Sequence, residues 1–201
     1  MTNESSPKIK LSAAILAGGK AQRFYGMNKG EIRDPDGIPI IKKILTELHR
    51  AHINDLIIVS NLPALYLKYH QQVEPDLRKN IGPIGGIETA LTYFKNKTDA
   101  TLFLPCDMPN ISAIEINALK EKFLTMPETP VLYAQSELNS NHPLFSVVRN
   151  DVLPQLIRLI DKGERKVSSA WKKMGGKPLR FNHSQAFINI NTPSDLNEWI
   201  K

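Results

Sequence analysis

Short apolar runs, bounded by glycine, proline or polar residues, alternate along the chain with segments of helical periodicity. Apolar runs of four to eight residues between turn residues are typical of buried strands. Six segments have this character: 9–17, 56–60, 101–105, 130–134, 143–148 and 187–190. The pattern therefore predicts six strands, three of them strongly apolar and in the first half of the chain.

Segments with apolar residues three and four positions apart lie between these runs and predict helices. Seven are predicted: one that begins near Pro39, one from about Ala64, one after a rigid turn at 82–86, one from Ser112 to about Phe123, one from Asp151 to Gly163, a short one around Trp171 and one opened by Thr192-Pro193-Ser194-Asp195. Ser112 and Glu115 fit a capping box, and Asp151 is predicted to cap the helix that Gly163 closes.

Strands that alternate with helices predict a parallel sheet with helices on both faces. We therefore expect an α/β protein with a single doubly wound, mostly parallel sheet. No linker-like segment divides the sequence, so residues 1–201 are expected to form one domain, with 1–8 as a flexible N-terminus.

Composition limits the classes of function without selecting one. Hydrophobic residues make up 41% and charged residues 23% of the chain, as in soluble globular proteins. The net charge of +6 suits polyanionic ligands, whether nucleic acid or small phosphorylated molecules. The sequence has no signal segment, no apolar stretch near the ~20 residues that span a bilayer, and a single cysteine. A cytoplasmic protein is expected.

A glycine pair followed by two cations comes directly after the first strand. Gly18 and Gly19 would let the backbone approach a nucleotide and offer N–H groups to phosphate oxygens. Arg23 and Lys29 add positive charges at a spacing that suits a triphosphate. The segment is not a P-loop, because it has alanines where that motif needs a glycine and a hydroxyl residue.

Polar side chains also mark two later positions. Asp107 follows a buried strand, where a hard oxygen ligand suits Mg²⁺ shared with phosphates, although a turn or cap aspartate would give the same pattern. Its neighbour Cys106 fits a small buried side chain better than a nucleophile. Asn189 and Asn191 would point to one side of the last strand and could bind a heterocycle edge or a phosphate. A turn or helix cap would equally explain Asn191.

Three segments resemble the signatures of nucleotidyltransferases that activate sugars, terpenoid precursors and pterins, and a fourth resembles a signature of one subgroup of these enzymes. They are Leu16-Ala17-Gly18-Gly19-x-x-x-Arg23-x-x-Gly26-x-x-Lys29, Gly82-Pro83-Ile84-Gly85-Gly86-Ile87, Cys106-Asp107-Met108-Pro109 and Phe187-x-Asn189-Ile190-Asn191-Thr192-Pro193-x-Asp195-Leu196. The last is similar to the C-terminal signature of the molybdenum cofactor guanylyltransferases, and His142-Pro143 and 163–166 also resemble segments of that family. The resemblance covers about residues 9–200.

The resemblance implies a Rossmann-like nucleotidyltransferase fold and transfer of GMP from GTP to the terminal phosphate of molybdopterin, with Mg²⁺ as cofactor. It assigns catalysis and phosphate binding to Arg23 and Lys29, and Mg²⁺ binding to the catalytic Asp107. The pterin side is assigned to Asn189 and Asn191, with Arg165 and Lys166 as contacts to the pterin phosphate. Nucleotide binding is assigned to Leu16, Ala17, Gly18, Gly19, Asn61, Asp76 and Gly82. Phe24-Tyr25 and Asn28 depart from the Met-Gly and Asp that are common in the family.

Three other functions stay open. A related enzyme could transfer a cytidylyl group, or act on a sugar or terpenoid phosphate, although the signature at 189–193 argues against the second. A nucleic-acid-binding domain would show a clustered basic helix or an aromatic stacking motif, and neither is apparent in the sequence. A nucleotide-binding module without catalysis is the third. The expected partners are GTP, molybdopterin and other cofactor-handling proteins, with no nucleic acid or membrane.

Overall fold

The computed structural model describes residues 9–18, 23–24 and 27–200, with the backbone alone at 23, 24 and 27. The strands are β1 (Leu11–Leu16), β2 (Arg23–Phe24), β3 (Met27–Asn28), β4 (Leu56–Val59), β5 (Val73–Glu74), β6 (Ala100–Pro105), β7 (Val131–Gln135), β8 (Asn141–Arg149) and β9 (Lys177–Arg180). The helices are α1 (Ile40–Arg50), α2 (Pro63–Tyr66), α3 (Pro83–Phe94), α4 (Ala113–Leu124), α5 (Leu153–Asp161), α6 (Val167–Lys173) and α7 (Pro193–Trp199). Within these ranges, every helix is too short or too polar to cross a lipid bilayer.

Seven strands form one sheet in the order β5-β4-β1-β6-β8-β7-β9. Only β8 runs antiparallel to its neighbours in that sheet, and the short strands β2 and β3 pair separately. The chain leaves β1 over one face to reach β4 and returns from β5 over the other face to reach β6. This arrangement confirms the predicted α/β class and the mostly parallel sheet.

The central strands are buried on both faces, which explains their continuous apolar runs. Ala13 and Ile15 of β1 pack into the core shared with α1 and α4. Ala14 and Leu16 of the same strand point the other way, into the core shared with α3, α5 and α6. Alternate residues of β1 therefore face two helical layers, as a doubly wound sheet requires.

Most predicted helix boundaries are confirmed, but two need correction. The capping box of Ser112 and Glu115 is present at the start of α4, and Gly163 lies just beyond α5 with a φ of +91°. Asp151 is not a helix cap, because it lies in a 3-10 turn before α5 and its carboxylate pairs with Arg149. The predicted turn at 82–86 shrinks to Gly82, since α3 begins at the next residue.

The predicted strand at 187–190 is wrong. A 3-10 helix covers Gln185–Phe187, and an irregular segment follows it. Phe187 and Ile190 are buried in the core beside α4, so their apolar character comes from packing rather than from strand pairing. The edge of the sheet is instead β9, which the sequence pattern missed because its residues are exposed except for the partly buried Leu179.

The two leucines of α4 provide a test of this core. Leu119 is fully buried, whereas Leu124 is 42% exposed. We expect Leu119→Ala to lower the free energy of unfolding by about 2–5 kcal/mol, because it leaves a cavity. Leu124→Ala, the matched control, should change it by about 0.5 kcal/mol. Urea unfolding measures both, and equal losses would contradict the assigned packing of α4.

Candidate functional site

A cleft of about 920 Å³ lies at the carboxyl ends of the parallel strands. Ligands of doubly wound proteins bind at this edge of the sheet. The structure brings ten of the predicted residues to its wall: Leu16, Ala17, Gly18, Lys29, Asn61, Asp76, Gly82, Asp107, Arg165 and Asn191. The sequence therefore singled out fewer than half of the 22 residues that line the cleft, and their assigned roles stay predictions.

The side chain of Lys29 joins three distant parts of the chain. Lys29 is only 8% exposed, and its Nζ donates hydrogen bonds to Asp107 Oδ2 at 3.0 Å and Asn191 Oδ1 at 2.7 Å. A buried ammonium group is costly unless it is paired and hydrogen-bonded. Asp107 supplies the opposite charge, and Asn191 supplies a second acceptor.

A close backbone contact fixes the turn that carries Lys29. A Cβ atom at Gly30 would lie 2.9 Å from the hydroxyl oxygen of the buried Tyr66, so a larger residue there would have to displace the Tyr66 ring. Burial raises the pKa of Tyr66 above its ordinary value. Burial, reinforced by the charge of Asp107, raises the pKa of Cys106 to about 12. Cys106 is therefore a protonated, buried side chain, as predicted.

Lys29, Asp107 and Asn191 form a hydrogen-bonded group, the Lys29 cluster, and the backbone of the segment before α7 is bonded to it. The Ile190 N–H donates to the Asp107 carbonyl oxygen at 2.9 Å. The N–H groups of Asn191 and Thr192 both donate to Asp195 Oδ2, at 2.8 and 2.7 Å. These two amides hold the pKa of Asp195 below its ordinary value. The position of Asn191 is thus fixed on both sides along the backbone.

A second polar pair lies across the cleft, where β4 and β5 end. Asn61 Nδ2 donates to Asp76 Oδ2 at 2.7 Å, and the Asp76 N–H donates to Asn61 Oδ1 at 3.1 Å. A Cβ atom on Gly86 would lie 3.5 Å from Asp76 Oδ1 and 3.1 Å from Leu16, so this glycine lets α3 approach both. Burial raises the pKa of Asp76, while the bond from Asn61 lowers it in part.

Some predicted site residues do not line the cleft, and others fall outside the residues that the structure describes. Asn189 is exposed and does not line the cleft, and the expectation that it shares a strand face with Asn191 is wrong because no strand forms there. Its assignment to the pterin side stays a prediction. Gly19, Gly26 and the predicted flexible N-terminus, like the side chain of Arg23, fall outside the described residues.

The two basic residues expected near the pterin phosphate differ in position. Arg165 lines the cleft, and its guanidinium donates to the carbonyl oxygens of Ile160 and Glu164. Lys166 instead precedes α6, and its N–H donates to the Glu164 carboxylate. Of the two, the structure places Arg165 at the cleft.

Sequence reasoning missed Lys79, which lines the cleft between Asp76 and Gly82. The available signal was a cation in the short loop between two predicted nucleotide contacts. With Lys29 and Arg165 it makes three cationic residues among those that line the described cleft, against the two carboxylates of Asp76 and Asp107. This balance favours a ligand with several negative charges.

Sequence and structure comparisons find relatives over most of the chain. A family model described as a MobA-like NTP transferase domain matches residues 13–177. Molybdenum cofactor guanylyltransferase from Haemophilus influenzae is 32% identical over 197 residues, covering 96% of this chain and 98% of that protein. The enzyme of the same name from Mannheimia succiniciproducens is 32% identical over 191 residues, covering 94% and 98%.

Two solved structures share the fold. Molybdopterin-guanine dinucleotide biosynthesis protein A from Archaeoglobus fulgidus has a TM-score of 0.75 at 24% identity, covering 93% of this chain and 95% of that one. CMP:2-keto-3-deoxy-manno-octonic acid synthetase, solved with CTP, has a TM-score of 0.74 at 12% identity, covering 94% and 96%. At these identities the likeness concerns the fold alone.

The raised pKa of Asp76 can be tested by measuring how its removal changes the thermal stability of the protein at two pH values. A carboxyl whose pKa is raised in the folded state destabilises the fold when it is ionised, and this cost disappears at low pH. We expect Asp76→Asn to raise the melting temperature at pH 7.5, and to raise it less at pH 4.5. The exposed Asp36→Asn is the control and should have little effect at either pH. A lower melting temperature of Asp76→Asn at pH 7.5 would refute the argument.

Proposed function

Since the chain belongs to the MobA-like NTP transferase family and is a nucleotidyltransferase, we propose that it transfers GMP from GTP to the terminal phosphate of molybdopterin. The products would be the guanine dinucleotide form of the cofactor and pyrophosphate, and the proposed compartment is the cytoplasm. One observation carries the proposal. The Lys29 cluster and the Asn61–Asp76 pair face one cleft, in a chain whose relatives are named molybdenum cofactor guanylyltransferases.

In the proposed reaction the phosphoryl bond forms directly between the two substrates, without a covalent bond to the protein. An oxygen of the pterin phosphate forms a bond to the α-phosphorus of GTP, the bond from that phosphorus to the β-phosphate oxygen breaks, and pyrophosphate leaves. The attacking phosphate is already ionised at neutral pH, so no general base is needed. Catalysis then depends on holding two polyanions together and stabilising their charge.

The Asn61–Asp76 pair suits the nucleoside end of GTP. A carboxylate accepts hydrogen bonds, and guanine carries an amino donor on C2, where adenine has only a hydrogen atom. Ribose hydroxyls offer the same kind of donor. Leu16, Ala17 and Gly18 line the neighbouring wall, where their backbone can approach the nucleotide. We therefore assign this side of the cleft to the base and ribose.

Lys29 and Asp107 suit the phosphate end. An ammonium group has three donors, and among the described residues Asp107 and Asn191 accept from two of them, so a phosphate oxygen could accept from the third. We propose Arg23, which precedes Lys29 in the first signature, as a second phosphate-binding cation. Together these groups would stabilise the charge that builds up on the α-phosphate and on pyrophosphate.

The chemistry of Asp107 fits Mg²⁺. Among the described residues, Oδ2 of this partly exposed carboxylate accepts a hydrogen bond from Lys29 and Oδ1 accepts none. Those residues contain no group of three His, Cys, Asp or Glu side chains that could enclose a metal. Mg²⁺ is commonly held by one or two carboxylates together with substrate phosphates and water, so one carboxylate suffices. When bound, it would offset the repulsion between the two phosphorylated substrates.

Turnover with different nucleotides tests the proposal. With Mg²⁺ and molybdopterin, we expect GTP to yield pyrophosphate and the dinucleotide, and ATP or CTP to react at least about 10⁴-fold less efficiently. A site built for the hydrogen bonds of one base is left with unpaired buried groups by another. Asp107→Asn is the inactive control, because its amide lacks the ligand charge, and Asp151→Asn is the matched control outside the cleft.

Three results would contradict this function. Preferred turnover of CTP would assign the chain to cytidylyl transfer. Turnover with a sugar or terpenoid phosphate in place of molybdopterin would change the acceptor. Tight GTP binding without any pyrophosphate release would indicate a nucleotide-binding module.

A further inference from the structure

The capping box of α7 extends beyond the helix that it caps. In an ordinary capping box, the carboxylate of the third helical residue accepts one hydrogen bond from the backbone of the cap residue. Here Asp195 Oδ2 accepts that bond from the Thr192 N–H at 2.7 Å and a second bond from the Asn191 N–H at 2.8 Å. Asn191 is the residue whose side chain accepts from Lys29. One carboxylate thus connects the helix start to the active-site lysine.

We propose that Asp195 is a positioning residue for nucleotidyl transfer, which fixes the backbone of Asn191 so that Asn191 Oδ1 orients the Lys29 ammonium group. The inference deepens the proposed function and rests on it for its kinetic readout. Lysine has a long side chain with many rotamers, and ordering it carries an entropic cost. A preplaced acceptor on each side of the ammonium restricts those rotamers before the substrate arrives.

The backbone around Asn191 is attached at two points. The preceding residue, Ile190, donates to the carbonyl oxygen of Asp107, and Asn191 itself donates to Asp195. Loss of the Asp195 carboxylate would leave only the first attachment. The Lys29 charge also helps to hold the pKa of Asp195 low, after the larger effect of the two amides. Asp195 therefore lies within electrostatic range of the lysine that it positions.

A role in packing alone does not account for this arrangement. Helix α7 has seven residues, none fully buried, and it packs on the core through the partly buried Leu196 and Trp199 rather than through Asp195. Its other end is held independently, because Trp199 Nε1 donates to Asn110 Oδ1 at 2.8 Å and the Lys43 ammonium lies 5.2 Å from the Trp199 ring centre. Removal of the Asp195 side chain should therefore release the Asn191 end of the segment while the helix stays docked.

The same capping box provides a matched control. Thr192 Oγ1 accepts from the Asp195 N–H at 3.2 Å, so Thr192→Ala weakens the cap but keeps both bonds to the carboxylate. Asp195→Ala removes those bonds. We expect Asp195→Ala to lower kcat by roughly 10- to 100-fold, as small misplacements of catalytic groups do. Thr192→Ala, with a similar loss in melting temperature, should keep kcat within about twofold. Asp195→Glu should restore much of the rate, because glutamate also serves in capping boxes.

A second measurement needs no substrate. Hydrogen exchange of the Asn191 amide should be faster in Asp195→Ala than in wild type or Thr192→Ala, because only Asp195→Ala loses its acceptor. Equal losses of kcat in the two alanine variants would reduce Asp195 to a helix cap and overturn the inference. If the wild-type protein transfers no nucleotide, the proposed function fails. Unchanged Asn191 exchange and GTP affinity in Asp195→Ala would then overturn the positioning role separately.

Discussion

The charged side chain of Lys29 is almost fully buried, at the wall of the cleft for which we propose two highly charged substrates. Leaving such a charge buried without partners would cost several kcal/mol. The fold meets this constraint with one carboxylate, Asp107, and one amide, Asn191, contributed by segments far apart in sequence. Lys29, Asp107 and Asn191 therefore depend on one another for their positions.

The sheet explains why these segments can meet. Strands β1 and β6 are neighbours and parallel, so the loops after Leu16 and Pro105 open at the same edge. The chain crosses one face after β1 and the other face before β6, and ligands bind where the strand order reverses in this way. Lys29 follows the first of these loops, and Asp107 lies in the second. The apolar cores on both faces thus determine where the charged groups converge.

The sequence predicted those parts of the fold that depend on burial of a continuous apolar strand or on hydrogen bonds between residues close in sequence. Strands β1, β4 and β6 are buried on both faces, so their apolar runs stand out in the sequence. The start of α4 was predictable because Ser112 and Glu115 satisfy the first N–H groups within four residues. The segment at 187–190 misled the prediction, since Phe187 and Ile190 are apolar for core packing rather than strand pairing. Strand β9 gave little signal because it is a short, exposed edge.

For the site, the sequence predicted ten residues of the cleft wall but not the contacts between them. The glycine-rich turn and Asp107 could be assigned to one ligand because each follows a predicted parallel strand. The contact between Lys29 and Asn191 spans 162 positions, and neither residue type indicates the other. The resemblance assigns the two residues to different substrates, whereas the structure joins their side chains by a hydrogen bond. The Asp195 carboxylate likewise looks like an ordinary helix cap until its bond to Asn191 is seen.

The central claim is that Lys29 and Asn191 act as one unit, and a double-mutant cycle tests it most directly. The kcat/KM for GTP would be measured for wild type, Lys29→Met, Asn191→Ala and the double variant, with the melting temperature of each as a check on folding. Because Asn191 acts through the lysine, the double variant should lose less than the sum of the single losses, by about 1–3 kcal/mol of coupling. Losses that add to within about 0.5 kcal/mol would show two independent residues and contradict the account.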